Sequence, residues 1–414
     1  MNVDELLKEA LRDQAADVGP ARADLADRVF VTRRRRRTRA VVSATVAVTA
    51  VVATIVAVPR IGGGEDVRPM DVIGPADVVA HPDQSPPKDA IAAGRTALAA
   101  FASYKSVYYE NGDGRRTRTY GVLDPTTRTY HRTTKWSVLT VAPGLRTAAV
   151  LEQKLPARRI GLLDLASNKV ERWIPVTQGV AGVEYSADGS KLVATTYKND
   201  PDHLYKDVEV MSGTADGKGN GTTRPGPGHP SRTGFSVIDV ASGKGKWVAK
   251  PQEGDAFDHN AREDFAFSPV GNYVVDTSMM SDIGATYYDF DGRKVPVPAG
   301  AEHVLPYVQA GLSPDGRHVG GDFAGRGDKI AVAVNDARTG KLAEKLPAQQ
   351  VVAWADNKRI VAWGCEPGKC AGKGEFRNQL LLITLGSHKV VPLSGFRKAS
   401  AEYPGRWAPQ FQTR

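Results

Sequence analysis

Gly311-Leu312-Ser313-Pro314-Asp315-Gly316-Arg317, followed by Ile330-Ala-Val-Ala-Val-Asn-Asp336 and Ala337-Arg-Thr-Gly340-Lys341, is the stretch that decides the fold. A large apolar residue and a small one lead into a Pro/Asp/Gly turn that opens a strand. The β-branched run ends at an aspartate, and a second turn closes on Gly-Lys. Both are hairpin turns: Asp bonds nearby backbone N–H groups, and Gly accepts positive φ.

Both turns recur along the chain. The first appears as Val141-Ala-Pro-Gly-Leu, Tyr185-Ser-Ala-Asp-Gly, Phe267-Ser-Pro-Val-Gly, Leu312-Ser-Pro-Asp-Gly, Trp354-Ala-Asp-Asn-Lys and Trp407-Ala-Pro. The second appears as Asp124-Pro-Thr-Thr-Arg, Asp164-Leu-Ala-Ser-Asn-Lys, Asp239-Val-Ala-Ser-Gly-Lys, Asp289-Phe-Asp-Gly-Arg, Asp336-Ala-Arg-Thr-Gly-Lys and a degenerate Thr384-Leu-Gly-Ser-His-Lys. Between them run short β-branched segments such as LVATTY, FSVIDV, YVVDTSM and LLLITL. Two turns per unit imply four strands per unit, which is the blade of a β-propeller. The expected class is therefore all-β, a six-bladed propeller, with seven blades as the alternative.

The first-type turns are spaced 44, 82, 45, 42 and 53 residues apart. The long interval holds residues 198–234, which contain neither turn and include GTADGKGNGTTRPGPGHPSRTG. That segment reads as a long loop inserted in one blade. The two columns are out of phase at the ends. The last blade is expected to close from both ends, with three strands from about 95 to 131 and one from about 403 to 412. An Ala-rich helix over 88–103 is the competing reading of the N-terminal part.

Ser-Pro-Asp-Gly turns that open strands resemble the WD40-like repeats of TolB-like propellers. The plan as a whole resembles a group of uncharacterised actinobacterial single-pass membrane proteins with such a propeller outside the cell. The resemblance rests on Val141-Ala-Pro-Gly-Leu-Arg, Leu155-Pro-Ala-Arg-Arg-Ile-Gly, Gly311-Leu-Ser-Pro-Asp-Gly-Arg and Gly372-Lys-Gly-Glu-Phe-Arg-Asn. It implies a fold and hardly a function, because propellers host many functions. The repeats depart from true WD40: no Trp-Asp closes a blade and no Gly-His opens one.

Upstream of the repeats the chemistry changes. Residues 33–39 read RRRRRTR, and Ala40–Val58 reads AVVSATVAVTAVVATIVAV with no charge, Pro or Gly. As a helix this run would span roughly 28 Å, close to the roughly 30 Å of a bilayer core. A retained transmembrane helix is expected, with Arg33–Arg39 beside lipid headgroups on the cytoplasmic side. Residues 1–39 are then a short helical cytoplasmic tail, 59–88 a Pro/Gly-rich linker and 89–414 the extracytoplasmic propeller at the cell membrane. A regulatory use of the tail is a further reading, but it lacks the His-x3-Cys-x2-Cys zinc pattern.

The chain carries a net charge of +9, which raises nucleic acid as a partner. Residues 1–58 hold ten Lys+Arg against seven Asp+Glu, leaving 45 against 39 in the remaining 356 residues. Neither a basic stripe nor a docking motif is present there, so no nucleic acid is expected. Hydrophobic content of 41% excludes wholesale disorder, and two cysteines exclude a disulfide scaffold.

Site residues are sought where loops are long. Short turns should lie on one face of a propeller, and 198–234, 251–262, 298–306 and 364–378 on the other. That face offers Tyr205, Arg232, Phe257, Asp258, His259, His303, Tyr307, Phe376 and Arg377 as a candidate binding surface, rich in aromatic and Arg side chains. Cys365 and Cys370 read as a disulfide that fixes the shape of one loop. Asp255, Asp258, His259 and Asp264 form an acidic cluster with one histidine, read by default as a solvated loop. The eight histidines share no repeat position. Neither a Gly-x-Ser-x-Gly elbow nor a Walker loop occurs.

The expected function is a non-catalytic binding or scaffold module for a protein or glycan, with no cofactor and as a monomer. The competing readings are a metal-dependent propeller enzyme of lactonase or lyase type, and a transmembrane sensor signalling through residues 1–39.

Overall fold

The computed structural model describes residues 78–212, 222–228, 231–251, 262–276, 285–326, 330–366, 369, 378–397 and 406–414. The chain divides into two units, Met1–Arg68 and Pro69–Arg414, and every described residue lies in the second. The tail, Ala40–Val58 and residues 59–77 lie outside the described residues. No helix among the described residues is long and apolar enough to cross a membrane.

The described secondary structure is all-β, arranged in five antiparallel sheets. Their unit is the sequential meander. Ala348–Trp354, Arg359–Gly364, Gln379–Thr384 and Val390–Pro392 form one, each strand pairing with the next. Phe265–Phe267, Val274–Asp276, Thr286–Tyr288 and Lys294–Val295 form another. A third comprises His318–Phe323, Val332–Asp336 and Leu342–Leu346, with Leu312 bridged to Val319. A seven-stranded sheet is two such meanders sharing the 17-residue strand Lys169–Tyr185, which pairs with Ala157–Asp164 through its first half and with Lys191–Tyr197 through its second.

Core strands read as continuous apolar runs because both faces are covered. Ile360, Val361, Ala362 and Trp363 are all buried, as are Leu380 to Ile383 opposite them. Even Gly121 has a packing role. It stands opposite Phe101, whose ring fills the space where a Cβ would be.

Local chemistry sets both turn columns. Asp336 Oδ1 accepts from the Thr339 N–H and hydroxyl at 2.7 and 2.6 Å, and Gly340 takes φ 68°. In the degenerate turn Thr384 supplies no carboxylate. The backbone still makes the bond from His388 N to Thr384 O, with His388 at φ 53°. In the first column Ser313 Oγ donates to Asp315 at 2.7 Å and accepts from His318 N at 2.9 Å.

Residues 88–103 follow the leading expectation and not the competing helix: Ala92–Ala93 and Thr96–Tyr108 are strands with buried alanines. Two regions differ from what the sequence predicts. The expected linker reaches less far, since Val78–Val79 already pairs with Ala92–Ala93. Residues 198–234 are not a loop throughout. His203–Ser212 and Thr222–Pro227 form a hairpin, and His203 and Leu204 pair with Arg115 and Gly114. Pro225 and Pro227 are tolerated because Thr222–Pro227 ends that sheet, with no described strand beyond it.

That hairpin extends the remaining sheet. Thr96–Tyr108 and Gly114–Leu123 pair along their length, with Tyr130–Thr133 on the far side of the latter. On the edge of Thr96–Tyr108 opposite Gly114–Leu123 lies Ala408–Thr413, pairing Ala408 with Ala102 and Thr413 with Thr96. Trp407, just before it, is 1% exposed. Its ring lies 4.9 Å from Trp363 and 5.4 Å from Phe101. Two separate regions of sequence thus complete one sheet.

Candidate functional site

A cavity of about 310 Å³ lies beside the closing strand. It is bordered by residues 408–411, residues 100–102, Tyr104, Tyr120, Leu139, Gln309 and Val352. Leu139 belongs to Trp136–Val141 and Val352 to Ala348–Trp354, each the first strand of its sheet in chain order. The wall is thus assembled from strands of three separate sheets, with Gln309 between strands.

Among the described residues no Asp, Glu, Lys or Arg borders this cavity. Its polar groups are amides and phenols. Gln410 is half-committed: Nε2 donates to Thr140 Oγ1 at 2.7 Å and Oε1 accepts from Val141 N at 3.3 Å. Tyr120 is buried and its hydroxyl bonds the backbone at Ser137 and Leu139. Burial pushes its phenol up, so it stays neutral. Tyr104 is half-buried and Gln309 exposed.

Charge is abundant next to this cavity but internally matched. The Arg118 guanidinium lies 5.5 Å over the Tyr104 ring and donates to both oxygens of Asp202, at 2.6 and 2.9 Å. Arg262 donates to the same carboxylate at 3.1 and 2.7 Å, and to Asp264 at 3.0 Å. Tyr197 donates to the other Asp264 oxygen at 2.8 Å. Burial alone would raise Asp202, but Arg262 and Arg118 outweigh it and hold the carboxyl at about 2. Burial would likewise lower both guanidiniums; their carboxylates hold them above the ordinary arginine value. Gly182 makes room for this network, since a Cβ there would collide with the Asp264 carboxylate.

Glu184, two residues further along that strand, is different. Solvent reaches it, yet protein crowds it from several sides. Burial pushes its carboxyl up to about 7; the bond from Phe267 N, at 3.3 Å, opposes this and Asp264 adds to it.

The structure does not gather the residues expected on the long-loop face. Phe257, Asp258, His259, Phe376, Arg377 and Cys370 lie outside the described residues. Arg232 is a correction: it is 5% exposed, donates to Asp276 at 2.9 and 2.6 Å, and lies 4.3 Å over the Phe265 ring. It holds two strands together and presents nothing to a partner. His303 is half-buried against the Gly340 turn, one of the short turns. Tyr307 is exposed, and its hydroxyl donates to Asp322 at 3.1 Å. Tyr205 is half-buried, 4.4 Å from the His203 ring, on the inserted hairpin. Cys365 is disulfide-bonded, and the chain has one other cysteine, Cys370. Among the described residues no three His, Cys, Asp or Glu are placed to hold a metal ion.

Sequence reasoning passed over Arg118, Asp202 and Arg262. The one available signal was charge at strand ends, in Lys198-Asn-Asp-Pro-Asp-His203 and Arg262-Glu-Asp264. The cavity residues carry no local signal, because they come from stretches up to about three hundred residues apart.

No protein-family model matches the chain, and no curated protein does. Among solved structures it is similar to TolB from Acinetobacter baumannii, at 15% identity and TM-score 0.36, covering 71% of this chain and 63% of that one. The Kuenenia stuttgartiensis hydrazine synthase is similar at 15% identity and TM-score 0.31, over 61% and 64% of the two chains. The Pyrococcus horikoshii acylaminoacyl peptidase is similar at 14% identity and TM-score 0.37, over 72% and 44%. The chain thus covers less than two thirds of each of these structures.

Proposed function

We propose that residues 89–414, with the short strand Val78–Val79 ahead of them, form a six-bladed, WD40-like propeller that acts as a non-catalytic binding module, held outside the cell membrane by Ala40–Val58. The blade count is supported by six groups of strands in chain order among the described residues, the first completed by Ala408–Thr413. The observation that carries the function is the cavity wall. Strands of three separate sheets and the segment carrying Gln309 line it with amides, phenols and apolar groups. Such a lining suits recognition of a neutral ligand, and the nearby arginines and aspartates are engaged with one another.

The test uses the purified full chain, assayed with ester, lactone and glycoside substrates with and without EDTA. A binding module turns over none of them. Metal-dependent turnover, lost in Asp258→Ala or His259→Ala, would replace this reading with the enzyme. Topology is checked separately by a reporter after Arg414: activity in the cytoplasm would sink the extracellular placement.

A further inference from the structure

We infer that the cavity beside the closing strand is a binding site for a neutral sugar. This rests on the binding-module reading and narrows it to one chemical class. The first ground is charge. Among the described residues no ionised side chain borders the cavity, and Arg118, whose guanidinium lies 5.5 Å over the Tyr104 ring, gives its two terminal nitrogens to Asp202. A charged ligand would enter without a counter-charge, at a large desolvation penalty.

The second ground is the chemistry of what remains accessible. The floor is small and buried, with Ala100, Ala102 and Val352 each 7% exposed or less. The groups that solvent reaches are Tyr104, Gln309, Ala408, Gln410 and Phe411. Gln309 and the Tyr104 hydroxyl have no hydrogen-bond partner among the described residues. Gln410 Nε2 retains one N–H beyond the bond to Thr140. An amide can donate to one hydroxyl and accept from its neighbour, as vicinal sugar hydroxyls require. The half-buried Phe411 adds apolar surface to the wall against which the C–H side of a pyranose could lie. A cavity of about 310 Å³ has room for a ring of that size.

The experiment is saturation-transfer NMR on the full chain in a zwitterionic, sugar-free detergent, with glucose, galactose, mannose and trehalose as probes. Glucuronate and a capped, uncharged tripeptide serve as comparators. At least one neutral sugar should bind in the millimolar range, with glucuronate weaker. Gln309→Ala and Tyr104→Phe should each weaken it roughly three- to tenfold, as loss of one hydrogen bond predicts. Neither change removes a described internal bond, so both variants should melt with the parent. No transfer from any neutral sugar, or affinities unmoved in both variants, would overturn the site. Dependence on Gln309 shown by the tripeptide and by no sugar would overturn the sugar and leave the binding module standing. Consumption of a bound sugar would overturn the module and leave the site.

Discussion

Asp202 accepts four hydrogen bonds from two arginines while only 2% of its side chain is exposed. Asp202→Asn keeps the shape and removes the charge, leaving Arg118 and Arg262 short of a counter-ion. Breaking a buried pair from one side costs about 3–5 kcal/mol, so urea unfolding should show a loss of that order. The same carboxyl makes stability acid-sensitive. Its folded value of about 2 lies below the unfolded value, so its contribution is complete above about pH 5 and is lost as pH falls through 2. Glu184 works in the opposite sense. Its folded value of about 7 lies above the unfolded one, so the folded chain holds the extra proton and stability declines as pH rises from about 4.5 to 7. Thermal melts from pH 5 to 8 should show that decline in the parent and lose it in Glu184→Gln. An unchanged slope in the variant would clear Glu184 of the effect.

The hairpin His203–Ser212 and Thr222–Pro227 is one element with two attachments. Its strands join the sheet at Arg115 and Gly114, and its stem carries Asp200 and Asp202 into ion pairs with Arg115, Arg118 and Arg262. Replacing residues 205–226 with a short Gly/Ser turn spares the stem, and the melting temperature should fall by no more than a few degrees. Replacing 199–231 removes Asp202 as well and should add the penalty of the buried pair; calorimetry of the two deletions separates the contributions. An equal melting point for both would show that Asp202 contributes nothing. The turn columns were readable because their chemistry is local: Asp, Ser and Gly fix each turn within a few residues. The hairpin was not, because Pro and Gly in Thr222–Pro227 carry a loop signature that an edge strand overrides. Arg232 misled for a related reason. An arginine between a glycine-rich segment and a strand reads as exposed, and its half-buried partner Asp276 lies 44 residues away. The cavity was illegible, since nothing in Tyr104, Gln309 or Gln410 announces their convergence.

At the scale of the Pro69–Arg414 unit, the C-terminal strand governs integrity. Trp407 fills space between Phe101 and Trp363, donates to Ser85 at 3.1 Å and receives Arg397 on its carbonyl at 2.9 Å. Trp407→Ala should cost about 3–5 kcal/mol by cavity formation, a large share of the roughly 5–15 kcal/mol that a domain has. Chemical denaturation should therefore show a much earlier but still single transition. A variant that unfolds in two steps would mean that the sheets do not depend on closure. The pairing of Ala408 with Ala102 also sets a clock. A ribosome adding about 5–20 residues per second needs roughly 15–60 s between those two positions. Throughout that interval the edge of Thr96–Tyr108 that Ala408–Thr413 will occupy waits with its backbone groups unpaired, a template for any passing strand. The chain's most vulnerable moment is thus set by translation order, and a circular permutant that begins just before Trp407 would abolish the wait without changing a single contact.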